Sequence, residues 1–265
     1  MQAIVTICDK HYKALLPFWA KRIRSVTSMP VVVLSLAGAE ISASPDYEVI
    51  SINQLGNPFP AELPHHACAE KLRIFHHLPE KLNEVLFVDV DVLVFNDFWT
   101  KANYFQIAQS ALVAAPDLFI GYKEKMEEEF EVFDPNFRMK FFPDGRYFYF
   151  NTGVFFASRS IHADIFRATL KTWSEYVGCI GRYPSIFDQN ILNYCLIKLG
   201  VDVVPMPVQN NCLRQYDSVW IDGCLRLDGE RVNVYHFNGG DAAIKLRRWH
   251  EFNQRYGGRD EYAST

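Results

Sequence analysis

The sequence has little of what would staple, anchor or tether it. Its six cysteines (Cys8, Cys68, Cys179, Cys195, Cys212 and Cys224) include no C-x-x-C pair. A chain of 265 residues does not need disulfides to hold a core, so buried free thiols in a reducing compartment are expected. No apolar run approaches the ~18 residues of a membrane span. Met1 leads straight into an apolar segment with no basic stretch before it, which points to a cytoplasmic protein without an integral membrane segment. Lys and Arg number 27 against 31 Asp and Glu, a net charge of −4. Without a basic excess, nucleic acid is not an expected partner. No internal repeat and no linker interrupts the chain.

What is present is material for a large core, with 49% hydrophobic and 22% charged residues. Global disorder is excluded, and one domain spanning residues 1–265 is the simplest organisation. Strands are expected over residues 2–8, 30–36, 47–52, 85–95, 147–156, 202–205 and 231–237. Helices are expected over residues 13–28, with Pro17 in the first turn, over 67–78, packing through Leu72, Phe75 and Leu78, and over 161–177. A further helix over 186–199 is expected to be capped by Ser185 and ended by Gly200. Strand–helix alternation of this kind predicts an α/β fold with a mostly parallel central sheet and helices on both faces. Residues 117–146 hold no clear period. Glu127–Glu129 read as a solvated face, and turns are expected at Phe133–Asn136 and Phe142–Gly145. Such an irregular insertion is often functional. Its aromatics (Phe119, Tyr122, Phe130, Phe133, Phe137, Phe141, Phe142) fit a binding segment better than core.

The chemistry concentrates in five places. Asp89 and Asp91 interrupt the apolar run Val85–Phe95. In a strand, residues i and i+2 share a face, and two buried like charges repel. A divalent cation where both acids point resolves the conflict, and hard oxygen ligands suit Mn²⁺ or Mg²⁺. Val5–Tyr12 ends the first strand at the edge where open α/β sheets bind ligands. Phe150–Phe156 is broken by Asn151-Thr152-Gly153, where glycine permits close approach of a ligand or a bulge. Asp188-Gln189 places an acid and an amide in the first turn of a helix, where capping and dipole compensation are the plain alternative. His236 ends the last strand before Gly239 and Gly240, and imidazole can complete a carboxylate metal site. A strand ending Asp-x-Asp also resembles the nucleophile motif of haloacid-dehalogenase-like phosphatases. The required downstream acidic pair is not met, since residues 201–207 supply only Asp202.

The ordered set Asp-x-Asp, Asn-x-Gly, Asp-Gln and His-Phe-x-Gly resembles the GT-A nucleotide-sugar glycosyltransferases, most of all glycosyltransferase family 8. That family contains glycogenin and bacterial lipopolysaccharide glycosyltransferases. The resemblance spans residues 4–240 and implies a GT-A (Rossmann-like) fold. It implies metal binding by Asp89, Asp91 and His236, and a donor sugar facing Asn151, Asp188 and Gln189. It also implies uracil held by Thr6, Cys8, Asp9 and Tyr12, with Lys71, Val90 and Gly239 among the nucleotide-sugar contacts. The family's Lys-Pro-Trp after the late histidine does not occur here. Lys245, Arg247 or Arg248 is left to meet the diphosphate, and a neighbouring GT-A family stays open. The activity implied is Mn²⁺- or Mg²⁺-dependent transfer of a hexose from a UDP-sugar to a carbohydrate-type acceptor hydroxyl, with retention. The alternatives are the phosphatase and a sugar-nucleotide-binding protein without turnover. Residues 117–146 are expected on the acceptor side.

Overall fold

Strands covered on both faces must be apolar throughout, and this rule accounts for the centre of the molecule. The structure, a computed structural model, describes residues 1–52, 56–63, 65–138, 147–221, 224–239 and 241–256. In chain order it forms β1 (Gln2–Cys8), α1 (Leu16–Val26), β2 (Val31–Ser35), β3 (Glu48–Ser51), a 3₁₀ helix (Ala67–Arg73) running into α2 (Ile74–His77), β4 (Glu84–Val88) and β5 (Val92–Val94). Then come α3 (Phe98–Lys101), α4 (Tyr104–Ile107), β6 (Leu112–Pro116), α5 (Ile120–Phe133), β7 (Phe150–Ser158), α6 (Arg159–Ile180), α7 (Phe187–Leu199) and β8 (Val203–Pro205). Short strands β9 (Cys212–Leu213), β10 (Val219–Ile221), β11 (Cys224–Leu227), β12 (Glu230–Arg231) and β13 (Val234–His236) precede α8 (Ala242–Tyr256).

Seven strands pair in the order β3-β2-β1-β4-β7-β6-β8. All neighbours are parallel except β7, which runs against both β4 and β6. Alternate residues feed two core layers. Val5, Phe87 and Phe155 meet Phe166 and Trp173 of α6 and Leu192 of α7, while Ile4, Leu86 and Phe156 share the other layer with α1. The α1 stripe is Leu16, Trp19, Ala20 and Ile23, one helical face. A third cluster, with Leu93, Phe95, Phe237 and Trp249, docks α8 on the β5–β13 pair. Among the described residues no helix is long and apolar enough to cross a membrane.

Several elements differ from the sequence expectation. The run 85–95 is two strands. β4 stops at Val88, the chain turns through Asp89–Asp91 with the Val92 N–H donating to the Asp89 carbonyl at 3.2 Å, and β5 joins a different sheet beside β13. Both acids therefore sit in a turn, and the same-face argument does not apply to them. Residues 67–73 wind as 3₁₀, which at three residues per turn stacks Cys68 and Lys71 on one side. The run 231–237 likewise breaks into β12 and β13. Ser185 does not cap α7; its N–H instead donates to both carboxylate oxygens of Glu129 at 3.1 Å. Cys179 is exposed and Cys68 and Cys224 are half-buried, although all six cysteines are free.

The segment 117–138 is mostly helix. Its period is obscured because Glu129 lies on the buried face beside Met126 and Phe130. Phe130, Phe133 and Phe137 pack around Tyr176 and Tyr194, so these three aromatics are core. The turn expected at Phe133–Asn136 falls one residue later, over Asp134–Phe137, closed by the Phe137 N–H on the Asp134 carbonyl at 3.0 Å. Phe141, Phe142 and the turn expected at Phe142–Gly145 lie outside the described residues.

Buried at the start of α6, His162 accepts the Ser158 N–H on Nδ1 at 3.0 Å and leaves Nε2 without a partner. Burial pushes its pKa from 6.5 down to about 4. The unfolded chain therefore binds a proton that the native protein refuses. Stability should be intact above about pH 6.5 and fall as pH drops toward 4, on the order of 3 kcal/mol in total. Urea unfolding at pH 7 and pH 4.5 should show this slope, and His162→Gln should flatten it. Equal slopes in both proteins would remove His162 as the source.

Candidate active site

The C-terminal ends of β1 and β4 define the ligand edge of the sheet. Because β7 runs antiparallel, its first residues, Asn151–Gly153, arrive at that same edge. The Asp89 N–H donates to the Gly153 carbonyl at 2.8 Å. The first turn of α7, the end of β13 and the start of α8 close a cleft of about 690 Å³ around them. Four carboxylates line it (Asp9, Asp89, Asp91, Asp188) against two ammonium groups, Lys71 and Lys245.

Asp89, Asp91 and His236 offer ligand atoms that all lie within 4.8 Å of one another. His236 Nε2 is 3.3 Å from Asp91 Oδ1 and 4.0 Å from Asp89 Oδ2. Lys245 holds the other Asp91 oxygen at 2.5 Å and reaches the Tyr12 hydroxyl at 3.2 Å. Burial raises the Asp91 carboxyl, but His236 and then Lys245 outweigh it and hold the group well below the ordinary carboxylate range. Burial pushes the Asp89 carboxyl upward, with Lys71 pulling against it and Asp91 adding to it.

A chain of amides fixes the imidazole. Asp117, an acceptor only, receives Gln189 Nε2 at 3.0 Å. Gln189 Oε1 therefore faces Asn151 and accepts its Nδ2 at 2.8 Å. Asn151 Oδ1 accepts Asn211 Nδ2 at 2.8 Å and the Gly153 N–H at 2.8 Å. Asn211 Oδ1 then faces His236 Nδ1 at 3.1 Å. Every donor points toward Asp117, so the imidazole donates from Nδ1 and turns Nε2 to the two aspartates. Histidine ligands are commonly oriented by such a hydrogen bond from the far nitrogen.

Asp188 is bound beside this group, sharing Lys71 with Asp89. Its Oδ2 accepts Lys71 Nζ at 2.9 Å and Thr152 Oγ1 at 2.7 Å. Burial raises its carboxyl and Lys71 more than reverses this, leaving it below its ordinary value. Lys71 also contacts Asp89 at 3.2 Å and the Thr152 carbonyl at 3.2 Å, and these partners raise its pKa despite burial. Asp188→Asn should lower stability by about 1.5–3 kcal/mol, the range for a bond to a charged group. If Asp188 also holds the donor sugar, transfer should fall about 100-fold or more in the same variant. A destabilised but active variant would assign Asp188 to holding Lys71 alone.

Of the nucleotide residues expected on β1, Asp9 and Tyr12 line the cleft, whereas Thr6 and Cys8 do not. Thr6 is fully buried, and Cys8 packs in the α1 layer. Burial pushes the Cys8 thiol up to about 12, so it is an inert core group. Asp9 Oδ1 accepts the N–H groups of His11 at 2.9 Å and Tyr12 at 3.0 Å, which fixes the loop that presents Tyr12. Lys71, Val90, Asn151, Gln189, Gly239 and Lys245 all line the cleft as well. Arg247 does not; it is exposed and 3.8 Å from Glu251. The sequence reading missed Asp117 and Asn211, whose roles depend on partners more than 20 residues away. It also missed His65, His66, Thr152 and Phe187 as lining groups. Thr152 lay inside a motif already singled out.

No known protein family and no curated protein sequence matches the chain. Solved structures do. The galactosyltransferase LgtC in complex with donor and acceptor sugar analogues is 22% identical, with 96% of each chain covered and a TM-score of 0.57. An active-site mutant of LgtC is 20% identical over 94% of this chain and 95% of that one, with a TM-score of 0.58. Mouse xyloside xylosyltransferase 1 in its apo form is 12% identical over 90% of this chain and 98% of that one, with a TM-score of 0.59. These neighbours are GT-A glycosyltransferases, and the chain has their fold.

Proposed function

We propose that this protein is a metal-dependent glycosyltransferase that moves a hexose from a UDP-sugar to a carbohydrate-type hydroxyl with retention. The observation that carries the reading is the cleft's make-up: two aspartates and an oriented imidazole lie beside a fixed Asn151–Asp188–Gln189 wall, at the ligand edge of a GT-A fold. The donor set fits Mn²⁺ or Mg²⁺, because four carboxylates against two ammonium groups leave two negative charges for one divalent ion. Held by Asp89, Asp91 and His236, such an ion would supply positive charge to the diphosphate leaving group.

The chain's own residues do the rest. Lys245 already lies between Asp91 and Tyr12 and takes the place of the lysine missing from the Lys-Pro-Trp motif, meeting phosphate oxygens. Tyr12 and Asp9 face the nucleotide from the end of β1. Asn151 and Gln189 are locked by the amide chain, so their dipoles are set before the sugar arrives. As the glycosidic carbon takes on oxocarbenium character, the oxygens of Asp188 and Gln189 oppose its charge from one face. Tyr122 at the start of α5 lines the cleft, which supports reading the 117–138 segment as the acceptor side.

The deciding experiment is release of UDP from UDP-glucose, UDP-galactose, UDP-N-acetylglucosamine and UDP-xylose, with GDP-mannose as control, in the presence and absence of Mn²⁺. Mn²⁺-dependent hydrolysis of a UDP-sugar is expected. Tight UDP binding without hydrolysis of any donor would instead make the protein a sugar-nucleotide-binding protein. Orthophosphate release from phosphate monoesters would favour the phosphatase.

A further inference from the structure

Phe187 is out of place by local rules. It is the first residue of α7 yet has φ of +29°, a left-handed value that a bulky side chain seldom adopts. Such strain persists only where the surroundings fix it, and it gathers at ligand sites. Burial of the ring is not what is gained here, because Phe187 remains 39% exposed while its neighbours Asp188 and Gln189 are 6% and 4% exposed. The ring lies in the cleft, stacked on His66 with centroids 4.1 Å apart and planes at 25°. His66 is itself anchored: its Nδ1 accepts the Cys68 N–H at 3.3 Å, and its ring packs 5.4 Å from Tyr183. Burial lowers the His66 pKa, so it backs the phenyl ring as a neutral imidazole.

Depth orders the cleft. The groups assigned to the donor sugar are nearly sealed, and the Phe187 ring stands outside them at the mouth. A ligand touching it would lie outside those sealed groups. Its face is apolar and electron-rich, which suits the C–H groups on one side of a pyranose ring. Tyr122, paired with Phe119 at 4.7 Å, lines the same cleft. The two sides are tied together, since Glu129 of α5 holds the Ser185 N–H just before α7. From this geometry we infer that the Phe187–His66 stack is the floor of the acceptor subsite and takes the apolar face of a hexopyranose. The inference rests on reading the deep part of the cleft as the donor-sugar site.

The test uses the full chain with Mn²⁺ and UDP, and methyl β-galactopyranoside and methyl β-glucopyranoside as probes in saturation-transfer NMR. At least one glycoside should receive saturation at its ring C–H protons. Its half-saturating concentration should rise about fivefold to tenfold in Phe187→Leu and Phe187→Ala, the scale of one aromatic contact, and be retained in Phe187→Tyr. UDP affinity by calorimetry should stay unchanged in all three variants. Saturation that is indifferent to Phe187→Leu, or no glycoside signal from the UDP-loaded wild type, overturns the subsite. A melting temperature that falls in Phe187→Leu with sugar binding unchanged would make the stack a loop anchor only. If UDP itself does not bind, the donor reading fails separately, and glycoside binding with and without the Phe187 ring still judges the subsite.

Discussion

Asp91→Ala should abolish Mn²⁺-dependent UDP release, with a barrier increase of at least ~2–4 kcal/mol from the loss of one electrostatic support. The structure adds a second expectation. Asp91 is the buried partner of both Lys245 and His236, and removing one member of a buried pair costs about 3–5 kcal/mol. Asp91→Ala should therefore be destabilised as well as inactive, and inactivity alone would be ambiguous. The double variant Asp91→Ala, Lys245→Met separates the two effects. It removes the stranded ammonium, so urea unfolding should recover part of the lost stability while UDP release stays absent. Wild-type turnover in Asp91→Ala would end the metal assignment.

Gly153→Ala should damage the same site without replacing Asp89, Asp91 or His236. A β-carbon at Gly153 would overlap His236 Cε1 and fall 2.7 Å from its Nδ1 and 2.9 Å from Asn151 Oδ1. Contacts that short force something to move, and β7 is paired on both sides and cannot yield easily. The imidazole must shift, breaking its bond to Asn211. Mn²⁺ affinity, read by electron paramagnetic resonance, should drop about 10- to 100-fold, the effect of losing an outer partner of a metal ligand. Overpacking should also cost about 1–3 kcal/mol of stability. Adding His236→Ala to Gly153→Ala should recover part of that stability but none of the affinity. Unchanged Mn²⁺ affinity in Gly153→Ala would show that the ion does not sit beside His236.

Much of the sheet was legible because its strands are apolar on both faces and bounded by turn residues, as in Val31–Ser35. The carboxylates at Asp89 and Asp91 were legible as anomalies in such a run. The break between β4 and β5 was not, because an apolar β-branched run looks the same whether it stays in one sheet or crosses to another. The helix α5 was hidden by Glu129, a buried acid whose partners, Ser185 and Asn190, lie far along the chain. Thr6 and Cys8 were named through the resemblance, and their position on an alternating strand sends both side chains into the core. Asp117 and Asn211 carried no local signal, because each works only through a residue distant in sequence.

The amide chain from His236 to Asp117 has a grammar: each link gives a proton toward Asp117 and receives one from the other side. An amide can be read in that direction or the reverse, but a carboxylate can only receive. Exchanging Asn151 for aspartate would leave Gln189 Oε1 with nothing offered to it, whereas exchanging Asn211 would leave Asn151 Oδ1 only the Gly153 N–H. Exchanging Asp117 for asparagine would free Gln189 to turn around, while the Gly153 N–H still holds Asn151 Oδ1 in place. Single polar swaps that look mild on paper, Asn151→Asp above all, are thus the ones this site can least absorb.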